Sequence, residues 1–432
     1  MKQLTKIYSL LVSLFACAML WAQVPAASPA QSSPMLISGG TVHVGNGEVV
    51  EQGMVIFENG KITAVGTASS LPTIDRSSYQ VIDASGKHVY PGFIAPNTQL
   101  GLVEIGAVRA TRDAREVGAI NPNVRSIIAY NTDSEVIPTV RAQGVLLAQV
   151  TPEGGRVSGS STIVQLDAWN WEDAAFKTDD GIHLNWPSEY RYSWRNRSFT
   201  ENKDYNDQVQ GLYQFFDEAQ AYTELESPRP KNLKFSAMLG LFDGSKTLFV
   251  HTASAKTITQ AVQMGKKYRL NVVIVGGRDA WMVTDLLKTN NVPVMLSETH
   301  SLPRQVDDAI DQPFRTPALL EEAGVSYCIG MDGYWQLRNL AFQAGHAVGF
   351  GLDYEKAVAA ITLNTAKILG IADRVGSIEK GKDATLIVTS GDALDMRTSV
   401  VEHAFIQGRT VDLTNKQREL YEKFKTKYEQ GQ

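Results

Sequence analysis

The chain has 432 residues, 43% of them hydrophobic, and a formal net charge of −5. That length accommodates a large barrel with a smaller accessory domain, and the absence of any Lys/Arg run gives no support for a nucleic-acid partner. The only cysteines are Cys17 and Cys328, so removal of the first leaves no intrachain disulfide.

The first residues read as a targeting segment. Lys2 and Lys6 flank or precede an almost unbroken apolar run from Ile7 to Trp21, too short for a typical membrane span and flanked like a secretory signal. Cleavage fits after Ala22, where the run ends, or after Ala30, where Ser28 is the small residue at the −3 position. Leu14-Phe15-Ala16-Cys17 loosely matches a lipoprotein box, with lipid anchoring at Cys17 the lesser alternative. The expectation is export to the periplasm or beyond, with no transmembrane span once the signal (1–22, or to 30) is removed. Residues 23–34, rich in Ala, Pro, Ser and Gln, read as a flexible tether.

Residues 35–89 carry short β-rich runs, two of them joined through Asn59-Gly60, a strong hairpin signal. This section is too small to bury a core alone. Strand-like runs reappear near the other end, within 376–413. The two ends are therefore expected to form one composite β-sandwich. The middle, 90–375, alternates strands with helical stretches, as a (β/α)₈ TIM-like barrel does. Residues 166–230 read as an elaborated loop region over the active-site face. The Gly/Ser-rich segment 152–160 reads as a strand-to-helix turn, with an anion cradle as the sharper alternative. Residues 414–432 form a capped helix whose stripe Leu420, Phe424, Tyr428 is expected to dock on its own protein.

Three blocks carry a family resemblance. The first is Leu36–Val42 with Asn59–Gly66 and Val81–Gly86; the second is Tyr90-Pro91-Gly92-Phe93-Ile94; the third is Ile361–Ile371 followed by Gly376–Ala384. In this order and spacing the chain resembles the imidazolonepropionase-like branch of the amidohydrolase superfamily. The resemblance implies a split β domain around a barrel. It also implies metal-dependent hydrolysis of C–N bonds in linear or cyclic amides, with zinc or another divalent metal activating a water.

At the chemistry the sequence departs from that pattern. The family's His-x-His on the first barrel strand is replaced by Asn97 and Gln99, and the histidine at the end of the sixth strand by Gly276-Gly277. A neutral amide oxygen is a much poorer zinc ligand than an imidazole nitrogen. By family position His251 is a metal ligand, and Asp332 is both a metal ligand and the catalytic base. Glu298 and His300, after the seventh strand, are two further candidates for ligands or ligand-binding groups. His183 falls in the irregular region and His346 in a packed helix.

Two functions compete. One is an exported hydrolase of amides or peptide-derived metabolites with a weakly held metal and reduced activity. The other is a pseudoenzyme that binds such a small molecule, or that serves as a structural partner, as a homo-oligomer or paired with an active homologue.

Overall fold

A computed structural model describes residues 27–71, 75–226, 229–304 and 307–430. The expected signal segment, with Cys17 and the Ala22 cleavage point, lies outside them.

The two chain ends meet in one eight-stranded sheet. Its strands are β1 (Met35–His43), β2 (Val49–Glu58), β3 (Lys61–Thr67), β4 (Gln80–Asp83) and β5 (His88–Pro91) from the N-terminal part, and β16 (Leu386–Thr389), β17 (Val401–Ile406) and β18 (Arg409–Thr410) from the C-terminal part. The order is β18-β17-β16-β5-β1-β2-β3, with β4 beside β1. The seam between the ends is the antiparallel pairing of β16 with β5, where Leu386 faces Pro91 and Thr389 faces His88. Phe57 from one end and Phe405 from the other pack edge to face at 5.0 Å, inside a core that also holds Ile37, Val55 and Leu386. Neither end has enough strands to bury these faces alone, which is why the pairing forms.

The middle of the chain builds the barrel sheet, in the order β6 (Phe93–Thr98), β7 (Val145–Val150), β8 (Val157–Gln165), β9 (Ala175–Asn185), β12 (Thr247–Thr252), β13 (Val272–Gly276), β14 (Val294–Leu296), β15 (Tyr327–Ile329). Most neighbours are parallel, but β8 runs antiparallel to both β7 and β9. The barrel is nearly closed. Among the described residues no ladder joins β6 to β15; Pro96 has no N–H to give one, and Ile94 N–H instead donates to the Ile361 carbonyl.

Several expectations are corrected here. The 152–160 segment is not a strand-to-helix turn: Gly154 and Gly155, both at positive φ, reverse the chain directly into β8. The 166–230 region is not mainly loop. It supplies β9, a separate two-stranded hairpin of β10 (Tyr190–Ser193) and β11 (Ser198–Glu201), and the helix Tyr205–Tyr222. Its mixture of Trp, Tyr and Arg hid a barrel strand whose short polar positions break the apolar run. The 23–34 tether is anchored over its described part. Ala27 is buried, Ser28 N–H donates to Asp167 at 3.1 Å, and the Gln31 amide bridges Phe57 and Gly60. The tail helix, Lys416–Glu429, buries none of its residues; Leu420, Phe424 and Tyr428 stay exposed, and its link to the barrel is Thr139 donating to Gln417 at 2.8 Å.

The small sheet is fastened to the barrel by a polar seam. His43 lies 2.7 Å from Glu355 and 3.0 Å from His88. The Tyr90 and Tyr354 hydroxyls are 2.9 Å apart, and Tyr354 donates to Asp392 at 2.6 Å.

Candidate functional site

The carboxyl ends of parallel strands face one rim, where barrel enzymes keep their chemistry. The candidate residues other than His300 fall into two adjoining hollows at this rim.

The first hollow lies over β6, β7, β9 and β12. Asn97, Gln99 and His251 line it, with Arg115, Ser158 and Asn185. Asn97 sits at a bulge: Ala95 faces Ala148 and Thr98 faces Val150, so β6 spends one residue more than β7. That residue adopts φ +47°, a left-handed conformation that asparagine tolerates better than most. Its N–H donates to Gln149 at 3.2 Å, while its Oδ1 is buried without a hydrogen-bond partner. Gln149 in turn donates to Asp180 at 2.8 Å, and Ser161 donates to the other oxygen at 2.7 Å. Asp180 is buried; burial outweighs these two hydrogen bonds and pushes its carboxyl up to about 6.

His251 ends β12 as the sequence indicates, but it does not stand alone. Its Nε2 lies 2.8 Å from Nδ1 of His183, a residue of β9 that is fully buried and stacked on Phe249 at 4.8 Å. Burial holds His251 down to about 4 and His183 well below its usual value, with a further push from His251. Both rings are neutral at pH 7, so one N–H serves the shared bond. The Nε2 of His183 is buried with no partner. His183 is the site residue that sequence reasoning missed. The signal for it was the run Gly181-Ile182-His183-Leu184-Asn185, a short alternating strand ending at the same level as β12.

The second hollow lies over β13, β14 and β15, a cavity of about 250 Å³. Glu298 and Asp332 line it together with Arg278, Asp279 and Arg304, against the apolar walls of Trp281 and Leu302. Asp332 is exposed and Glu298 half-buried. Burial, then the charge of Asp332, pushes the Glu298 carboxyl up, while Arg304 and His300 pull it back. Arg278 grips the buried Asp279 through a two-point contact of 2.7 and 3.1 Å. The hollows meet where Thr98 donates to the Gly333 carbonyl at 3.3 Å.

His300 does not join this group. Its ring packs edge to face on His346 at 4.4 Å and against Phe314 at 5.6 Å, and its N–H donates to Gln343. Its charge nonetheless acts on the Glu298 carboxyl. Gly276 offers no side chain, and its φ of +94° would strain any replacement. Among the described residues, no group of three or more His, Cys, Asp or Glu side chains is placed to hold a metal ion. Cys328 is a buried free thiol, pushed by burial up to about 12, which suits packing and not nucleophilic attack. Among the same residues no helix is long and apolar enough to cross a membrane.

Comparison with known proteins agrees with this architecture. The amidohydrolase family model matches residues 215–411. An imidazolonepropionase from Clostridium tetani is 21% identical over 387 residues, covering 79% of this chain and 85% of that protein. Among solved structures, an amidohydrolase from Thermotoga maritima superposes with a TM-score of 0.78 at 24% identity, covering 88% of this chain and 99% of its own. A prolidase-like structure from Bifidobacterium longum gives a TM-score of 0.52 at 13% identity, covering 90% and 97%. These likenesses to solved structures establish the fold; the family pattern and the curated relative establish descent. Over residues 215–411 the chain carries the amidohydrolase family pattern, and it is a distant homologue of imidazolonepropionase.

Proposed function

We propose that this amidohydrolase-family protein binds a small amide or peptide-derived ligand at the barrel rim and has little or no metal-dependent hydrolase activity. One observation carries the reading: the inherited ligand positions are chemically and spatially dispersed. Asn97 and Gln99 present amides, and His251 shares its Nε2 with His183 at 2.8 Å. Gly276 presents nothing, and Asp332 lines a different hollow. A zinc site needs three or four N, S or carboxylate ligands converging on one point, and this set does not fit one. The walls of the second hollow suit a small molecule with an apolar body and charged ends, with Arg304 opposite Glu298 and Asp332. The family's hydrolytic reading keeps one favourable observation, the electrostatic contact of Glu298 with Asp332.

The two readings separate by experiment. Purified protein dialysed without chelator should contain well under one zinc per chain. A panel of dipeptides, N-acyl amino acids and cyclic imides, with added Zn²⁺ or Mn²⁺, should raise the melting temperature without being turned over. Stoichiometric zinc with turnover lost in both His251→Ala and Asp332→Asn would establish the hydrolase instead.

Export is also proposed, from Lys2, Lys6 and the apolar run Ile7–Trp21. The contacts of Ser28 favour cleavage after Ala22, because cleavage after Ala30 would discard its bonds with Asp167 and Arg409. N-terminal sequencing of exported protein should begin at Gln23.

A further inference from the structure

The β10–β11 hairpin rises from the rim with both faces exposed. At its base, Glu189 accepts from Lys256 at 2.6 Å and from Ser254 at 3.1 Å. Those residues directly follow β12, so the hairpin stands at the same end of the barrel as the two hollows. Its strands pair from Tyr190 with Glu201 to Ser193 with Ser198. Tyr192 faces Phe199 at 5.0 Å and meets Trp194 at 4.9 Å. Trp194 is 85% exposed and Phe199 73% exposed. Residues 190–201 carry three arginines and one glutamate. Arg191 is paired with Asp204; among the described residues Arg195 and Arg197, at the tip, have no ion-pair partner. A lone two-stranded hairpin is marginal in water, and a cluster of three exposed rings beside free guanidiniums has the composition of an interface centre.

A neighbouring part of the same rim is its complement: Ala253, beside the Ser254 that anchors the hairpin, lines the second hollow. Residues 297–315 carry Glu298, Asp307, Asp308 and Asp311 against Arg304 and Arg315, and Asp332 adds another acid beside them. Among these acids stand Leu302, 78% exposed and bordering the 250 Å³ cavity, and Ile310, 74% exposed. A basic aromatic projection and an acidic apolar depression thus share one end of one molecule. With both on the same rim, a two-fold axis through the barrel mouths brings each hairpin over the other copy's acidic rim, an isologous contact made twice.

We propose that the chain forms a mouth-to-mouth homodimer in which Trp194, Arg195 and Arg197 of each copy cover the second hollow of the other. Two reciprocal contacts supply the needed area. Three rings burying about 150 Å² each reach about 450 Å², and the rim of the same copy adds a similar amount, near the roughly 800 Å² per partner of a stable interface. The ligand hollow is then completed by the partner copy, whatever it binds.

A charge-swap experiment tests this. The purified protein should sediment as a dimer at micromolar concentration. R195E/R197E and D307K/D311K should each sediment as monomers, with circular dichroism and melting temperature close to those of the parent, because Arg195, Arg197 and Asp307 are exposed and the half-buried Asp311 makes no side-chain cap bond to the helix it precedes. In each variant alone, like charges face each other at both contacts. In a mixture of the two, both contacts are complementary, so an equimolar mixture should recover the dimer. A monomeric parent, dimers that persist in both variants, or a mixture that stays monomeric would each overturn the proposal.

Discussion

The two halves of the barrel rim have been built by opposite rules. Over β6–β12, polar groups are drawn inward and bonded to one another: the Asn97 N–H to Gln149, Gln149 to Asp180 and Ser161, His251 to His183. Over β13–β15, charged side chains are left facing a cavity: Glu298 half-buried, Asp332 and Arg304 exposed. In the first half a polar group holds structure, because a buried donor or acceptor is costly to leave unpaired. In the second half a polar group remains available to a ligand. One rim thus separates a bonded polar network from charged groups left facing a cavity.

The sharpest break of this comparison is Gln149→Ala. It removes a donor from Asp180 and the acceptor of Asn97 N–H inside the barrel. Leaving a buried acid short of one hydrogen-bond donor costs about 1–3 kcal/mol, so chemical denaturation should show a loss of that size. A loss under about 1 kcal/mol would mean that the network is solvated and not structural.

The pH dependence comes next. Between pH 6.5 and about 4, the unfolded chain takes up a proton at His251 that the folded chain refuses. Stability therefore falls as pH drops through that window, by about 3 kcal/mol in full; His183 acts in the same direction. Asp180 acts in the opposite one. Its folded pKa, about 6, lies above the ordinary 3.8, so between those values the folded chain holds the proton and stability rises as pH drops, again by about 3 kcal/mol. The two terms offset each other in the parent protein. Asp180→Asn should expose the histidine term, giving a melting temperature that falls more steeply below pH 6 than the parent's. Parallel melting curves from pH 7.5 to 4.5 would contradict the assignment.

The smallest stability effect is expected at the other half of the rim. Asp332→Asn alters an exposed group, and surface changes of this kind stay within about 0.5 kcal/mol. Its effect should appear instead in ligand affinity, measured by titration calorimetry once the ligand panel yields a binder. A large loss of stability in this variant would place Asp332 in the structural network.

The lesson of His183 is specific. Its neighbours predict a strand only when Gly181 and Asn185 are allowed as barrel positions, and nothing in the local pattern announces that β8 runs backwards to place it. His300 is a second case. Its spacing from Glu298 looks like a ligand pair, and only the structure adds that its ring packs on His346 and Phe314. The tail helix shows the same limit: its stripe is legible at i, i+4, i+8, but amphipathicity does not say whether a partner surface lies within reach, and here Leu420, Phe424 and Tyr428 stay exposed.

By itself the sequence determined the architecture. Strand and helix periodicity, the Asn59-Gly60 turn and the insufficiency of each end to bury its own faces are local or additive properties, and they lead to a near-closed barrel with a separate composite sheet. It also puts Asn97 and Gln99 at the end of the first barrel strand and Gly276 at the end of the sixth-strand candidate. Tertiary structure alone decided which side chains meet. His183 reaches His251 across 68 residues, Gln149 reaches Asp180 through an antiparallel strand, and Asp332 parts from His251 into another hollow. Such contacts depend on strand direction, register and bulges. A shift of one residue reverses which face a side chain occupies, and that is settled only when the sheet is assembled.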